Sequence, residues 1–274
     1  MILQKFVSVL LAPTALFFSN LDYLKIIPQS PMENVISLTR ENGGIDKLVN
    51  ENDIIFYGET HNELDDKVQL EILLDHVRDI DKNGKIALGL EMVSSDKQII
   101  LDEFNSGKIN SEKLMKELEW DNDWRFLRDG YRLVFDTAHH HNMDLIGLNA
   151  PKRVTEMFKD GLQFNQKYIE KDNLISFLKT IAEYHNLSDR KTISMYYQIN
   201  LLWETWMASE IENYLRIFPE SKIIVFTGGQ HSKYSAIPKL LEKNFPNRFD
   251  YINLTPNIDK EYFGEIYTKK NQFI

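Results

Sequence analysis

Four short apolar runs stand out along the chain: 54–58 (IIFYG), 86–90 (IALGL), 143–148 (MDLIGL) and 222–227 (KIIVFT). Each is rich in Ile, Val, Leu or Phe and bounded by turn-forming residues, the pattern of a β-strand covered on both faces. Segments 251–254 and 262–268 are weaker strands of the same kind. The first two runs start 32 residues apart, at Ile54 and Ile86, which is the length of a βαβ unit.

Between the strands the apolar period changes to that of a helix. Residues 63–77 place Leu70, Leu73, Leu74 and Val77 on one face. Ser95-Asp96-Lys97-Gln98 has the form of a capping box opening the next helix. Residues 124–142 read as a longer helix with Phe126, Val134 and Ala138 on its apolar side, and 192–218 as a longer one still, stopped by Pro219. About 75 residues separate the third and fourth strands, far more than one crossover helix needs. The expected architecture is therefore α/β: a parallel sheet flanked by helices, with a helical insertion at about 151–218 acting as a cap. Residues 46–274 form one such domain, preceded by a hydrophobic, variable segment at 1–45. Tyr196, Tyr197, Trp203 and Trp206 concentrate in the insertion, either as helix packing or as a platform for a flat ligand.

The composition narrows the chemistry. A net charge of −9 with scattered Lys and Arg disfavours a nucleic-acid partner. The absence of cysteine excludes disulfides, thiolate metal sites, a Cys nucleophile and a lipid anchor on Cys. Residues 6–18 (FVSVLLAPTALFF) are too short to span a bilayer but have the length of a signal-peptide core, so a cytoplasmic and an exported protein both fit. No other stretch offers a transmembrane span.

In open parallel sheets ligands bind beyond the carboxyl ends of the strands. The residues there are Gly58-Glu59-Thr60-His61, Glu91, Asn149-Ala150-Pro151 and Gly228-Gly229-Gln230-His231. Glu59, His61, Glu91 and His231 thus converge on one edge, where two imidazoles and two carboxylates can transfer protons, hold a divalent metal or grip a polar ligand. His139, His140 and His141 cannot chelate one ion together, because successive helical residues point about 100° apart. They read as a helix C-terminus, where imidazolium complements the dipole. His76 and His185 read as surface or helix-end residues. No Gly-x-Ser-x-Gly elbow is present, so a hydrolytic version of this site would use direct attack by water.

Five segments carry a resemblance: GETHNELDDKVQLEILL at 58–74, LGLEMVSSDKQIILDEF at 88–104, DTAHHHNMDLIGLNAPKRV at 136–154, QINLLWETWMASEI at 198–211 and FTGGQHSKYSAIPKLL at 226–241. Together and in this order they resemble the ChaN family of haem-binding uptake proteins, grouped in one superfamily with erythromycin esterases and Tiki-like proteases. The resemblance implies a parallel α/β core and haem bound by a tyrosine, with His and Lys holding the propionates, in a ligand-linked homodimer. In this sequence Tyr234 is the best-placed iron ligand, with Tyr131 and Tyr197 as alternatives; Lys233, His231, His61 and Asn149 complete the cofactor-binding set. The hydrolytic relatives imply the other use of Glu59, His61, Glu91 and His231, as a catalytic acid–base set or a metal-assisted site. Two features depart from the family: Asp65, Asp66 and Lys67 stand where members often carry further histidine, and the lipoprotein cysteine is missing.

Overall fold

The computed structural model describes residues 44–164, 171–184, 189–246, 248–256 and 263–268. The apolar segment 6–18 and His185 lie outside them. In chain order the elements are α1 (Gly44–Glu51), β1 (Ile54–Glu59), α2 (Leu64–Ile80), β2 (Ile86–Ser94), a 3-10 turn (Ser95–Lys97), α3 (Gln98–Asn105), α4 (Ser111–Glu117), α5 (Trp120–Asp123), α6 (Arg128–His140), β3 (Asp144–Asn149), α7 (Lys152–Lys159), α8 (Lys171–Tyr184), α9 (Arg190–Ile217), β4 (Lys222–Gly228), α10 (Gly229–Ser232), α11 (Ile237–Asn244), β5 (Tyr251–Pro256) and β6 (Phe263–Thr268).

All four strong apolar runs, and both weaker ones, are strands of one sheet in the order β3-β2-β4-β1-β5-β6. β1 to β5 pair in parallel, and β6 joins β5 antiparallel. Every residue of β1 is buried, as expected for a strand covered on both faces. On one face Ile55, Tyr57, Leu88, Leu90, Ile224, Phe226, Ile252 and Leu254 form a continuous core with Leu70, Leu74 and Val77 of α2 and Tyr131, Val134 and Phe135 of α6. This is an α/β fold with a parallel core. The described residues group into two compact units: Pro151–Trp203, which is helical, and the sheet-bearing remainder.

Two expected elements are built differently. The helix expected over 124–142 begins only at Arg128. Arg125 and Leu127 take positive φ values of 70° and 20°, which no α-helix accommodates, and the chain between α5 and α6 turns Trp124 and Phe126 toward His61. The capping box at Ser95 is also absent. Ser95–Lys97 is a 3-10 turn without a side-chain cap, and Ser95 Oγ instead accepts the indole N–H of Trp206 at 2.8 Å. The histidine run does end a helix: α6 closes at His140, and His141 follows as its C-cap.

Candidate functional site

The sheet order sets β4 between β1 and β2, so the three strands that end in Glu59, Gly228 and Glu91 are neighbours. Glu59 is in register with Gly228, and Glu91 follows Leu90, which pairs with Phe226. The carboxyl ends therefore meet at one place. A side chain at Gly228 would come within 2.9 Å of His61 Cε1 and 3.1 Å of its Nε2, so the glycine makes room for the imidazole to lie across the end of β4. At Gly58 a Cβ would strike Ser232 Oγ at 2.2 Å, so glycine there lets α10, which carries His231, close against β1.

Two linked ion clusters result. In the first, the buried Glu59 carboxylate faces His61 Nδ1 at 2.9 Å and Lys67 Nζ at 2.5 Å, and accepts the hydroxyl of Tyr131. Lys67 is fully buried. Its ammonium also donates to the backbone oxygens of Thr60 and His61, each at 2.9 Å, and lies 4.9 Å from the centre of the Tyr131 ring. In the second, His231 stands between two carboxylates, Glu91 Oε1 at 3.4 Å from Nε2 and Glu204 Oε1 at 3.2 Å from Nδ1. The other oxygen of Glu91 accepts the N–H of Gly228 at 2.6 Å.

Burial and charge compete here, and charge wins. Burial opposes a proton on His231, but Glu91 and Glu204 more than compensate and push its pKa up to about 10. Burial likewise works against ionised Glu91, yet His231, His61 and the Gly228 N–H hold it at about 2. For His61 burial is outweighed by the hydrogen bond to Glu59 and the charges of Glu91 and Glu59, so its pKa is also raised, despite repulsion from His231. Tyr131 is pushed upward by burial and by Glu59. The second cluster is thus an imidazolium held between carboxylates at neutral pH, and in the first the same influences favour the protonated form of His61. Every ring nitrogen of its two histidines faces a carboxylate except Nε2 of His61. That imidazole is 30% exposed and walled by Trp124 and Phe126, with ring centres 4.8 and 5.2 Å away. Among the described residues no group of three or more His, Asp or Glu is arranged to hold a metal ion.

The structure brings Glu59, His61, Glu91, His231 and Tyr131 together. Tyr234, Asn149 and Tyr197, also singled out by sequence, have other partners. Tyr234 and Lys233 follow α10 on the surface; the Tyr234 side chain is 37% exposed, and its hydroxyl donates to Glu242 at 2.8 Å. Asn149 ends the edge strand β3 and accepts the N–H of Ala150 at 2.8 Å. Tyr197 is buried within the Pro151–Trp203 unit, its ring 5.1 Å from that of Phe177. A separate hollow of about 550 Å³, lined by Glu112, Met115, Trp120, Asp121 and Arg128 among others, contains neither His nor Tyr. Sequence reasoning missed Lys67 and Glu204. The signal was available: Lys67 lies three residues before Leu70 and seven before Leu74, on the buried stripe of α2, and Glu204 lies three before Met207 and seven before Ile211, on the buried stripe of α9. An ionisable residue on such a stripe needs a partner.

The family model described as haem-binding uptake, Tiki superfamily, ChaN matches residues 46–241. Among solved structures, one described as cofacial haem binding to ChaN of Campylobacter jejuni is similar at 19% identity, covering 84% of this chain and 91% of that one with a TM-score of 0.69. A mutant erythromycin esterase in its open conformation shares 11% identity over 81% of this chain and 76% of its own, with a TM-score of 0.48. The C-terminal region of Pasteurella multocida toxin shares 12% over 81% and 25%, with a TM-score of 0.46. No match was found among curated proteins.

Proposed function

The chain belongs to the ChaN family of haem-binding uptake proteins in the Tiki superfamily, and on that premise we propose that it binds haem through the phenol of Tyr234. The observation that carries this reading is accessibility. Of the three candidate tyrosines, Tyr131 is buried and gives its hydroxyl to Glu59, and Tyr197 is buried in the helical unit. Tyr234 is the exposed one of the three, at 37%, with its hydroxyl bonded to Glu242. A tyrosine that ligates haem iron does so as phenolate. Tyr131, whose pKa is driven up by burial and by Glu59, is poorly suited to lose its proton.

The residues present fit the group. Tyr234 would hold the iron, and the adjacent exposed Lys233 would meet a propionate as a charge-assisted hydrogen bond. His231 would serve beneath the site and not on it, because both its nitrogens are committed to Glu91 and Glu204. Bound haem supplies iron for storage, transfer or redox chemistry; the chain itself supplies an anionic ligand and a cationic neighbour on an outer surface.

Titration of the purified protein with haemin, followed by its Soret band, tests the proposal. Saturable binding is expected. Tyr234→Phe keeps the ring and removes only the ligand oxygen, so it should shift the band and weaken binding by about tenfold or more, or about 1.4 kcal/mol. Tyr131→Phe and Tyr197→Phe should leave the band in place. No haemin binding, or a spectrum indifferent to Tyr234→Phe, would end this assignment.

A further inference from the structure

Four of the ten large apolar side chains that the described residues expose lie on one surface. Leu64, Val68 and Ile72, exposed by 51, 40 and 54%, climb the outer face of α2 at i, i+4 and i+8, a rise of about 12 Å. Leu133, 45% exposed, stands beside them on α6. The two helices run side by side. A Cβ at Gly130 would lie 3.0 Å from Leu64 Cδ1, Thr137 Oγ1 donates to Glu71 at 2.8 Å, and His141 Nε2 meets Asp75 at 2.5 Å.

The rim of this strip is mainly acidic. Asp65, Asp75 and Asp79 on α2 and Asp129 and Asp136 on α6 are all exposed. Among the cations of the same helices, Lys67 is buried, Arg78 bonds the carbonyls of Asp81, Gly84 and Asn142, and Arg132 divides between Glu112 and Asp129, the latter of the rim itself. An apolar strip of this kind calls for cover. Its acidic rim repels a second copy of a chain whose net charge is −9, and repels an anionic membrane. Apolar anchors spaced by one helical turn, flanked by positive charge, satisfy both features at once.

We propose that the α2–α6 surface docks a basic amphipathic helix of a partner protein, with its apolar side chains on Leu64, Val68, Ile72 and Leu133 and its lysines or arginines against the aspartate rim. The probe is a fluorescent helical peptide of leucine and lysine (LKKLLKLLKKLLKL), compared by anisotropy with the same peptide carrying glutamate for lysine. The lysine peptide should bind, more weakly as salt is raised, and the glutamate peptide should bind at least about tenfold more weakly. The triple variant Leu64→Gln, Val68→Gln, Ile72→Gln changes only exposed side chains, and its fold is checked by circular dichroism. It should lose at least about tenfold in affinity. Asp65→Asn with Asp75→Asn and Asp79→Asn should weaken binding and flatten its salt dependence. Glu156→Gln with Asp160→Asn removes exposed acids of α7 and its C-cap and should change affinity by less than about twofold. Absence of binding by the lysine peptide, or no loss in the triple variant, overturns the proposal. So does an equal loss in the Glu156 and Asp160 variant, which would reveal bulk charge attraction. Sedimentation of the unmodified protein as a dimer that the triple variant abolishes would assign the surface to a second copy instead.

Discussion

His231 is a histidine that its surroundings have turned into a fixed cation. An ordinary imidazole with pKa 6.5 loses its proton near neutrality, whereas this one holds it up to about pH 10. Its proton affinity is greater in the folded chain than in the unfolded one, so it stabilises the fold fully below pH 6.5, and that contribution drains away as pH rises from 6.5 toward 10. Glu91 has the opposite sign: its share is complete above pH 4.5 and is lost as pH falls toward 2. The pair therefore contributes most between about 4.5 and 6.5. Thermal melts across this range should show the stability difference between the unmodified protein and His231→Gln shrinking as pH climbs through 7, 8 and 9. A difference that stays constant to alkaline pH would contradict the ion-pair description. The four residues that begin this network were legible in the sequence, because Glu59, His61, Glu91 and His231 each follow an apolar run and a parallel sheet gathers such ends at one edge. Glu204 was not: it sits in the middle of a long helix, and only its phase relative to Met207 and Ile211 marks it as inward-facing. Tyr131, an alternative iron ligand by sequence, lies in the centre as a hydrogen-bond donor to Glu59, a relation that depends on α6 packing beside α2 and so is invisible to local pattern.

At the scale of elements, the turn from β1 into α2 is the joint on which His61 depends. Lys67 reaches back from the first turns of α2 to bond the carbonyls of Thr60 and His61 and to pair with Glu59, while Asp66 accepts the N–H of Thr60 at 2.6 Å. A strand end and a helix start are thereby locked by two consecutive side chains of opposite charge. Removing the ammonium leaves a buried carboxylate short of one partner, and breaking such a pair commonly costs about 3–5 kcal/mol. Lys67→Met should accordingly lower stability by about that amount in urea denaturation, and adding Glu59→Gln should restore part of it, because the uncompensated charge goes too. A loss below about 1 kcal/mol, the size of a surface pair, would show that water or His61 replaces the lysine. Elements with one strong period were read correctly from the chain: the strands, α2, and the long α9, expected at 192–218 and found at Arg190–Ile217. The misread stretch was 124–127. There Trp124 and Phe126 mimic a helical apolar face, but their burial is against His61, and the positive φ of Arg125 and Leu127 that allows it leaves no mark in residue type.

Taken as a whole molecule, the chain carries a strong negative charge, and two copies approaching each other are repelled unless something between them is attractive. A haem disc on an exposed tyrosine has that property. One face would be held by Tyr234, and the other would remain apolar and open to water, so a second protein surface covering it removes apolar area from solvent. Ligand-linked pairing is thus the expected consequence of the proposed Tyr234 site, and by linkage the pairing tightens haem binding in return. In sedimentation experiments the haem-free protein should run as a single chain at all salt concentrations. Haemin should move it toward a dimer, and Tyr234→Phe should suppress that shift in proportion to its loss of binding. The triple variant of Leu64, Val68 and Ile72 should dimerise with haemin as the unmodified protein does, because the strip on α2 and α6 is assigned to a different, basic partner. A haem-free dimer would place the interface elsewhere on the surface. A haem-saturated protein that remains a single chain would mean that one protomer, or solvent, covers the second face, and would separate haem binding by Tyr234 from assembly.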